Sequence, residues 1–136
     1  YLLRNNEDDL TTLAEELQFI QSYYHLLSTR YGESLQVETH IDEKYLEYQL
    51  PPLTLQMLVE NAVKHNVVTK EHPLQVHIYS VGNSISVENK VKLRTTTDGV
   101  SQYGLAHLSK LYQLHYSKEI DIMNTATIFK VNLPLI

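Results

Sequence analysis

Four polar side chains of different chemistry crowd the stretch LVENAVKHN, residues 58–66: Glu60, Asn61, Lys64 and His65. If the segment is helical, Asn61, Lys64 and His65 stand at i, i+3 and i+4, so their tips converge. A neutral amide oxygen is a hard ligand that suits Mg²⁺, and an ammonium group beside an imidazole suits phosphate oxygens. The spacing therefore allows a site for a metal and phosphate groups.

A plainer interpretation of the same residues stays open. Glu60 and Lys64, at i and i+4, would form a solvated ion pair that contributes only about 0.3–0.5 kcal/mol. Asn61 is the residue that this interpretation leaves unexplained, because asparagine is a mediocre helix former and has no capping role in mid-helix.

The element that must position these groups is a helix from Leu53 to about Asn66, starting after Pro51-Pro52. At 100° per residue, one arc of this helix is apolar and holds Leu55, Leu58, Val59, Ala62 and Val63. The opposite arc holds Met57 with the four polar residues. We therefore expect one buried side and one polar side.

An earlier helix is predicted from a capping box, in which Thr12 is followed by Glu15. A narrow apolar seam follows, and Gly32 ends the helix; the seam holds Leu13, Leu17, Ile20, Tyr24, Leu27 and Tyr31. Such a seam suits packing against another helix, although an ordinary surface helix of the same domain also fits.

The remaining elements follow from alternation and turn residues. Five segments are predicted as strands, at 35–41, 74–81, 84–88, 119–123 and 127–133. Gly82-Asn83 is a hairpin turn, 89–102 is a loop, and a third helix runs from Gly104 to about Leu114. This order predicts an α+β fold, a two-layer sandwich with helices on one face of a largely antiparallel sheet.

Composition limits the possible classes. The 136 residues suffice for one domain, and 43% hydrophobic with 20% charged residues is typical of a globular protein. The net charge of -5 and the lack of a basic run argue against a nucleic-acid partner. Cysteine is absent, no apolar run approaches a membrane span, and the seven histidines lack metal-site spacing. The chain opens without Met, and we expect it to be a fragment of a longer protein.

The segment from Leu50 to His65, LPPLTLQMLVENAVKH, resembles the N box of LytS-like sensor histidine kinases. The segment 13–20 with Tyr23 and 30–32, and the ending 129–134, are also similar to that family. The resemblance implies a GHKL (Bergerat) ATP-binding fold, a two-layer α/β sandwich with a mixed, mostly antiparallel sheet, preceded by one long helix. It further implies that 1–32 is the remnant second helix of a dimerisation region and that 33–136 is the ATP-binding catalytic domain.

The resemblance also implies roles for individual residues. Asn61 would coordinate the Mg²⁺ that bridges the ATP phosphates, and Lys64 and His65 would lie along the phosphate or ribose side. Glu60 is characteristic of the family and would have a catalytic role. Gly104, followed by Leu105, matches the family's second glycine box and would place free helix amides near the phosphates.

The family pattern is altered at several places, including Leu111, which stands where the second glycine box has arginine. Asn89 stands where the adenine-binding box has Asp, so it keeps an acceptor oxygen without the charge; a strand-ending turn residue is an equal alternative. Gln102 replaces the first glycine of the second box, and His107 replaces an asparagine and is interpreted as a surface or packing residue. Asp98-Gly99 would lend flexibility to an ATP lid, with Gly99 near the nucleotide, although an unconstrained turn fits as well.

The function implied by the resemblance is the catalytic ATP-binding part of a two-component sensor histidine kinase. It would bind ATP and Mg²⁺ and transfer a phosphoryl group to a histidine outside this fragment, which alone could not autophosphorylate. The implied partners are the protein's own upstream phosphoacceptor helix, a response regulator and a second copy in a homodimer. The implied location is the cytoplasmic side of an inner-membrane protein. The alternative is a degenerate, pseudokinase-like domain that binds ATP weakly or not at all and signals through dimer or partner contacts.

Overall fold

The structure, a computed structural model, describes residues 10–92 and 102–136, with only the backbone of Gln102 and Tyr103. Three α-helices lie in these residues, α1 (Leu13–Tyr31), α2 (Thr54–His65) and α3 (Gln102–Tyr116), with two short 3-10 helices at Gly32–Ser34 and Glu43–Tyr45. The strands are β1 (Thr11–Thr12), β2 (Leu35–His40), β3 (Gln49–Leu50), β4 (Leu74–Val81), β5 (Ser84–Lys90), β6 (Asp121–Asn124) and β7 (Ile128–Pro134).

The main sheet has five strands in the order β2-β4-β5-β7-β6. Strands β2 and β4 are parallel, and the other neighbours are antiparallel. Gly82, at φ +58°, opens the two-residue turn between β4 and β5, as the turn requires of its first central residue. A separate two-stranded ladder joins β1 to β3.

One face of the sheet is apolar and carries the helices. Alternate residues of three central strands are buried there: Leu74, Val76, Ile78, Ile85, Val87, Val131 and Leu133. They form one core with residues of all three helices, including Leu13, Leu58 and Leu108. The opposite face carries polar pairs such as Tyr79 Oη donating to Glu88 Oε1 at 2.6 Å. The predicted α+β two-layer sandwich is confirmed.

Helix α1 begins as predicted. The Thr12 hydroxyl accepts from the Glu15 amide at 3.2 Å, and the Thr12 amide donates to the Glu15 carboxylate at 3.4 Å, which completes the capping box. At the other end Gly32 has φ +56° and donates its amide to Ser28 O. Every residue of the predicted seam belongs to the core or packs against it.

The division of the chain into 1–32 and 33–136 stays a prediction. The described part of the first segment packs into the same core as the sheet, since Leu13 and Ile20 are both buried. Its start is also bonded to the later segment, with the Leu13 amide donating to Tyr48 O at 2.8 Å.

One expectation about element bounds is wrong, and two short strands were not expected. The predicted loop 89–102 is shorter at both ends, because β5 continues to Lys90, paired with Ile128 of β7, and α3 starts at Gln102. Strands β1 and β3 were not predicted at all, because two-residue strands are too short to alternate. Among the described residues, no helix is long and apolar enough to cross a membrane.

Candidate functional site

Helix α2 has the two sides that its sequence predicts. The apolar arc is buried along its full length, from Leu55 to Val63. On the opposite side Glu60 and Lys64 are exposed, and Met57, Asn61 and His65 are half-buried. The polar groups are therefore accessible while the helix is anchored through its other side.

The start of α2 is held by a carboxylate from α1. Leu53 precedes the helix with φ 62°, a left-handed conformation that costs a non-glycine residue about 1–2 kcal/mol. The Leu53 amide donates to Glu16 Oε2 at 2.8 Å, and the Leu55 amide donates to Glu16 Oε1 at 3.1 Å. Glu16 thus accepts from the first amides of a helix whose N-terminus also favours negative charge. Burial raises the pKa of Glu16 above its ordinary value, and the backbone amides oppose that rise.

The end of α2 is held by a carboxamide. Asn66 is 4% exposed, and its Nδ2 donates to Ala62 O at 2.9 Å. Its Oδ1 accepts from the amide of Lys92 at 2.9 Å, and the Val67 amide donates to Lys92 O at 2.7 Å. These bonds connect the end of α2 to the chain that leaves β5.

The flank of α2 lies against the first turn of α3. A Cβ added at Gly104 would lie 3.2 Å from Met57 Sδ, so the α3 backbone comes close to this side chain. Met57 is one turn before Asn61 on the same stripe of α2. Gly104 and the buried Leu105 therefore start α3 beside the side of α2 that carries Asn61.

Glu60 lies on the other edge of the polar side, towards α1. The pKa of Tyr23 in α1 is raised first by burial and second by the negative charge of Glu60, so the two groups are close. The structure thus separates Glu60 from the stripe of Met57 and Asn61. A catalytic role for Glu60 stays a prediction.

Asn89 lies inside β5 and not in a turn. It is 3% exposed, on the face of the sheet that carries Val87, between Val76 of β4 and Phe129 of β7. Its Nδ2 donates to Lys90 O at 2.8 Å. The alternative in which Asn89 is a strand-ending turn residue is wrong, because the strand continues past Asn89 to Lys90. A contact between Asn89 and a nucleotide base stays a prediction.

The remaining residues with predicted roles are Asp98, Gly99, Gln102 and His107. Asp98 and Gly99 lie outside the described residues, as does the side chain of Gln102. His107 is exposed, as expected of a surface residue. Within residues 10–92 and 102–136, no group of three or more His, Asp or Glu side chains could hold a metal ion. A bound Mg²⁺ would fit Asn61 nonetheless, because Mg²⁺ usually takes one or two protein oxygens and completes its shell with water and phosphate.

Two residues that hold the ends of α2, Glu16 and Asn66, were not predicted to have a role. Glu16 stands three residues after Leu13 and four before Ile20, so its place on the apolar seam was a usable signal of burial. Asn66 had no such signal, because its main partner, Lys92, is 26 residues away.

Sensor proteins named LytS are similar in sequence to much of this chain. It is 30% identical to the sensor protein LytS of Oceanobacillus iheyensis over 87 residues, which are 62% of this chain and 15% of that protein. It is 25% identical to the sensor histidine kinase/phosphatase LytS of Staphylococcus aureus over 100 residues, 74% of this chain and 17% of the relative. The chain thus spans less than a fifth of these relatives. No protein-family model matches it.

Solved structures share the fold. The catalytic domain of histidine kinase ThkA superposes with a TM-score of 0.61 at 14% identity, over 93% of this chain and 97% of that domain. The cytoplasmic segment of histidine kinase QseC superposes with a TM-score of 0.58 at 16% identity, over 94% of this chain and 78% of that segment. At such identities these structures establish the fold alone. The predicted resemblance is confirmed: the chain is similar in sequence to LytS sensor proteins over 62–74% of its length, and it has the fold of histidine kinase catalytic domains.

Proposed function

We propose that this chain binds Mg-ATP on the polar side of α2 and is the catalytic ATP-binding part of a two-component sensor histidine kinase. The observation that carries the proposal is the approach of Gly104 to Met57. It supports a site in which the first amides of α3 and the side chains of Asn61 and Lys64 face the same phosphates.

The chemistry of these groups suits a nucleotide. Phosphoryl transfer depends mainly on positioning and on neutralising the phosphate charge. Mg²⁺, when bound, would supply most of that neutralisation. Of the chain's own residues, the Asn61 amide oxygen would hold the metal, and Lys64 and His65 would line the phosphate or ribose side. Leu105, buried in the core, would hold the start of α3 in place.

The histidine that accepts the phosphoryl group would lie outside this fragment, on an upstream helix of the same protein. The fragment alone would not autophosphorylate. A response regulator and a homodimeric assembly follow as partners from the proposed kinase role, and so does a cytoplasmic position in an inner-membrane protein.

A second candidate is a pseudokinase-like domain with weak or no ATP binding. Asn89 favours it, because a neutral amide stands where the family has a charged acceptor for adenine. Its Nδ2 donates to Lys90 O, so the uncharged Oδ1 would be the atom that accepts from the base. An uncharged acceptor would weaken the contact with the base without abolishing it.

Calorimetric titration with a non-hydrolysable ATP analogue, with and without Mg²⁺, tests the proposal. Wild type should bind in a Mg²⁺-dependent manner, and Asn61→Ala should weaken binding with Mg²⁺ about tenfold or more, as expected for loss of a metal ligand. Asn132→Ala is the matched control, since Asn132 is half-buried on the far face of the sheet, where its Oδ1 accepts from Ser86 Oγ at 2.9 Å. Absence of binding at millimolar nucleotide would refute the proposal and favour the second candidate.

A further inference from the structure

We infer that Asn66 is a positioning residue of the nucleotide site, which fixes the end of β5, and with it Asn89, relative to the polar side of α2. The inference rests on the proposed function. It gives a specific role to a side chain that neither the N-box resemblance nor the adenine-box resemblance assigns.

The contacts of Asn66 join two elements that are separate in sequence. Its Nδ2 and its own backbone amide both donate to Ala62 O, at 2.9 and 3.1 Å, which closes the last turn of α2. Its Oδ1 accepts from the Lys92 amide at 2.9 Å. One carboxamide therefore holds the helix end with its donor and the chain after β5 with its acceptor.

The junction fixes both backbone polar groups of Lys92. The Lys92 amide donates to Asn66, and the Lys92 carbonyl accepts from Val67 at 2.7 Å. The preceding residue, Val91, donates its amide to Thr127 O at 2.9 Å, which ties the same short stretch to the chain just before β7. Lys92 is three residues past Asn89, so little chain lies between the junction and the proposed base contact.

The other side of the junction is equally short. Asn66 directly follows His65 and is two residues past Lys64, so a shift of the helix end moves these side chains too. Asn66 is 4% exposed, and water cannot readily replace its bonds. Its backbone is extended, with φ -114°, so the position does not require glycine, and the side chain is what the junction uses.

The test compares wild type, Asn66→Ala, Asn66→Gln and the control Asn132→Ala in this chain. Two quantities are measured: the Kd for the ATP analogue with Mg²⁺, and amide hydrogen exchange at Lys92. Asn66→Ala should weaken binding about threefold to tenfold beyond any effect of Asn132→Ala, and Lys92 should exchange faster. Asn66→Gln keeps both the donor and the acceptor of the carboxamide without adding charge, so Lys92 should stay protected and the Kd should stay within about threefold of wild type.

The outcomes separate this inference from the proposed function. If wild type binds and Asn66→Ala binds no more weakly than Asn132→Ala, although Lys92 exchanges faster, Asn66 serves the fold alone and the inference is overturned. If Asn66→Ala does not fold, Asn66→Gln decides: a protected Lys92 with a tenfold weaker Kd overturns it, and a retained Kd supports it. If wild type binds no nucleotide, the proposed function fails first and the inference falls with it.

Discussion

The two ends of helix α2 are both held by buried side chains, but by groups of opposite hydrogen-bonding character. At the start, the Glu16 carboxylate accepts from the amides of Leu53 and Leu55. At the end, the Asn66 carboxamide donates to Ala62 O and accepts from Lys92. The start of a helix presents free donors and the end presents free acceptors, and each side chain matches what its end lacks.

The difference also concerns charge and location. A carboxylate suits the positive end of the helix dipole, whereas a neutral amide avoids placing a negative charge at the negative end. The start of α2 lies next to α1, and the last turn of α2 carries Lys64 and His65. We therefore expect defects at the start to lower stability and defects at the end to alter ligand binding.

The largest expected effect is that of Glu16→Ala. Two amides at the start of α2 would lose their acceptor, and we expect the free energy of unfolding to fall by about 2–4 kcal/mol. Urea denaturation measures this, with Glu15→Ala as the adjacent control, since Glu15 is exposed and, within the described part of the chain, its carboxylate accepts only from Thr11 and Thr12 at the start of α1. The control should lose less. A weaker Kd for the ATP analogue in fully folded Glu16→Ala protein would contradict the expectation that defects at the start of α2 affect stability and not binding.

A smaller, pH-dependent effect should follow from the charge on Glu16. Its pKa in the folded protein lies above the ordinary 4.5, because burial disfavours the charged form. The folded protein therefore holds this proton more tightly than the unfolded chain, and the contribution of Glu16 to stability is full below 4.5 and is lost as pH rises through the folded-state pKa.

Glu16→Gln should remove this dependence. The stability of wild type relative to Glu16→Gln, measured by urea denaturation across that pH range, should decrease as pH rises. A relative stability that increases with pH would show that the backbone amides outweigh burial at Glu16.

The smallest expected effect is that of Gly104→Ala. The new methyl group would press on Met57 Sδ, at 3.2 Å, but a methionine side chain is flexible and can move. We expect a stability change below about 1 kcal/mol, because the higher helix propensity of alanine offsets part of the strain. Met57→Ala in the same chain should remove the strain. Loss of several kcal/mol, measured by thermal unfolding, would show that the contact between α2 and α3 is rigid.

Local patterns predicted most of the fold. The capping box at Thr12, the two sides of α2 and the turn at Gly82 depend on residues a few positions apart, and all three were found. The bounds of β5 and the ladder between β1 and β3 depend on partners distant in sequence, and they were wrong or missed. Hydrophobic periodicity indicates which side of a helix or strand is buried, but not which element packs or pairs with it.

The candidate site was predictable to a lesser extent. The polar stripe of α2 follows from spacing, which also allows a metal and phosphate site there, and the specific roles of Asn61 and Lys64 in binding ATP come from the resemblance. The approach of Gly104 to Met57 could not be derived, because it depends on how two helices pack. Gly99 lies outside the described residues, so its expected place near the nucleotide stays a prediction.

The bonds at the ends of α2 have a consequence for how the chain folds. They join residues 37 and 39 positions apart at the start, and 26 positions apart at the end. The hairpins β4–β5 and β6–β7 need only short loops and should close early, because closing a longer loop costs more entropy. We expect α2 to form first as a helix with frayed ends. Its bonds to Glu16 and Lys92 should form only in the last, slow step, when α1 and the end of β5 dock against it.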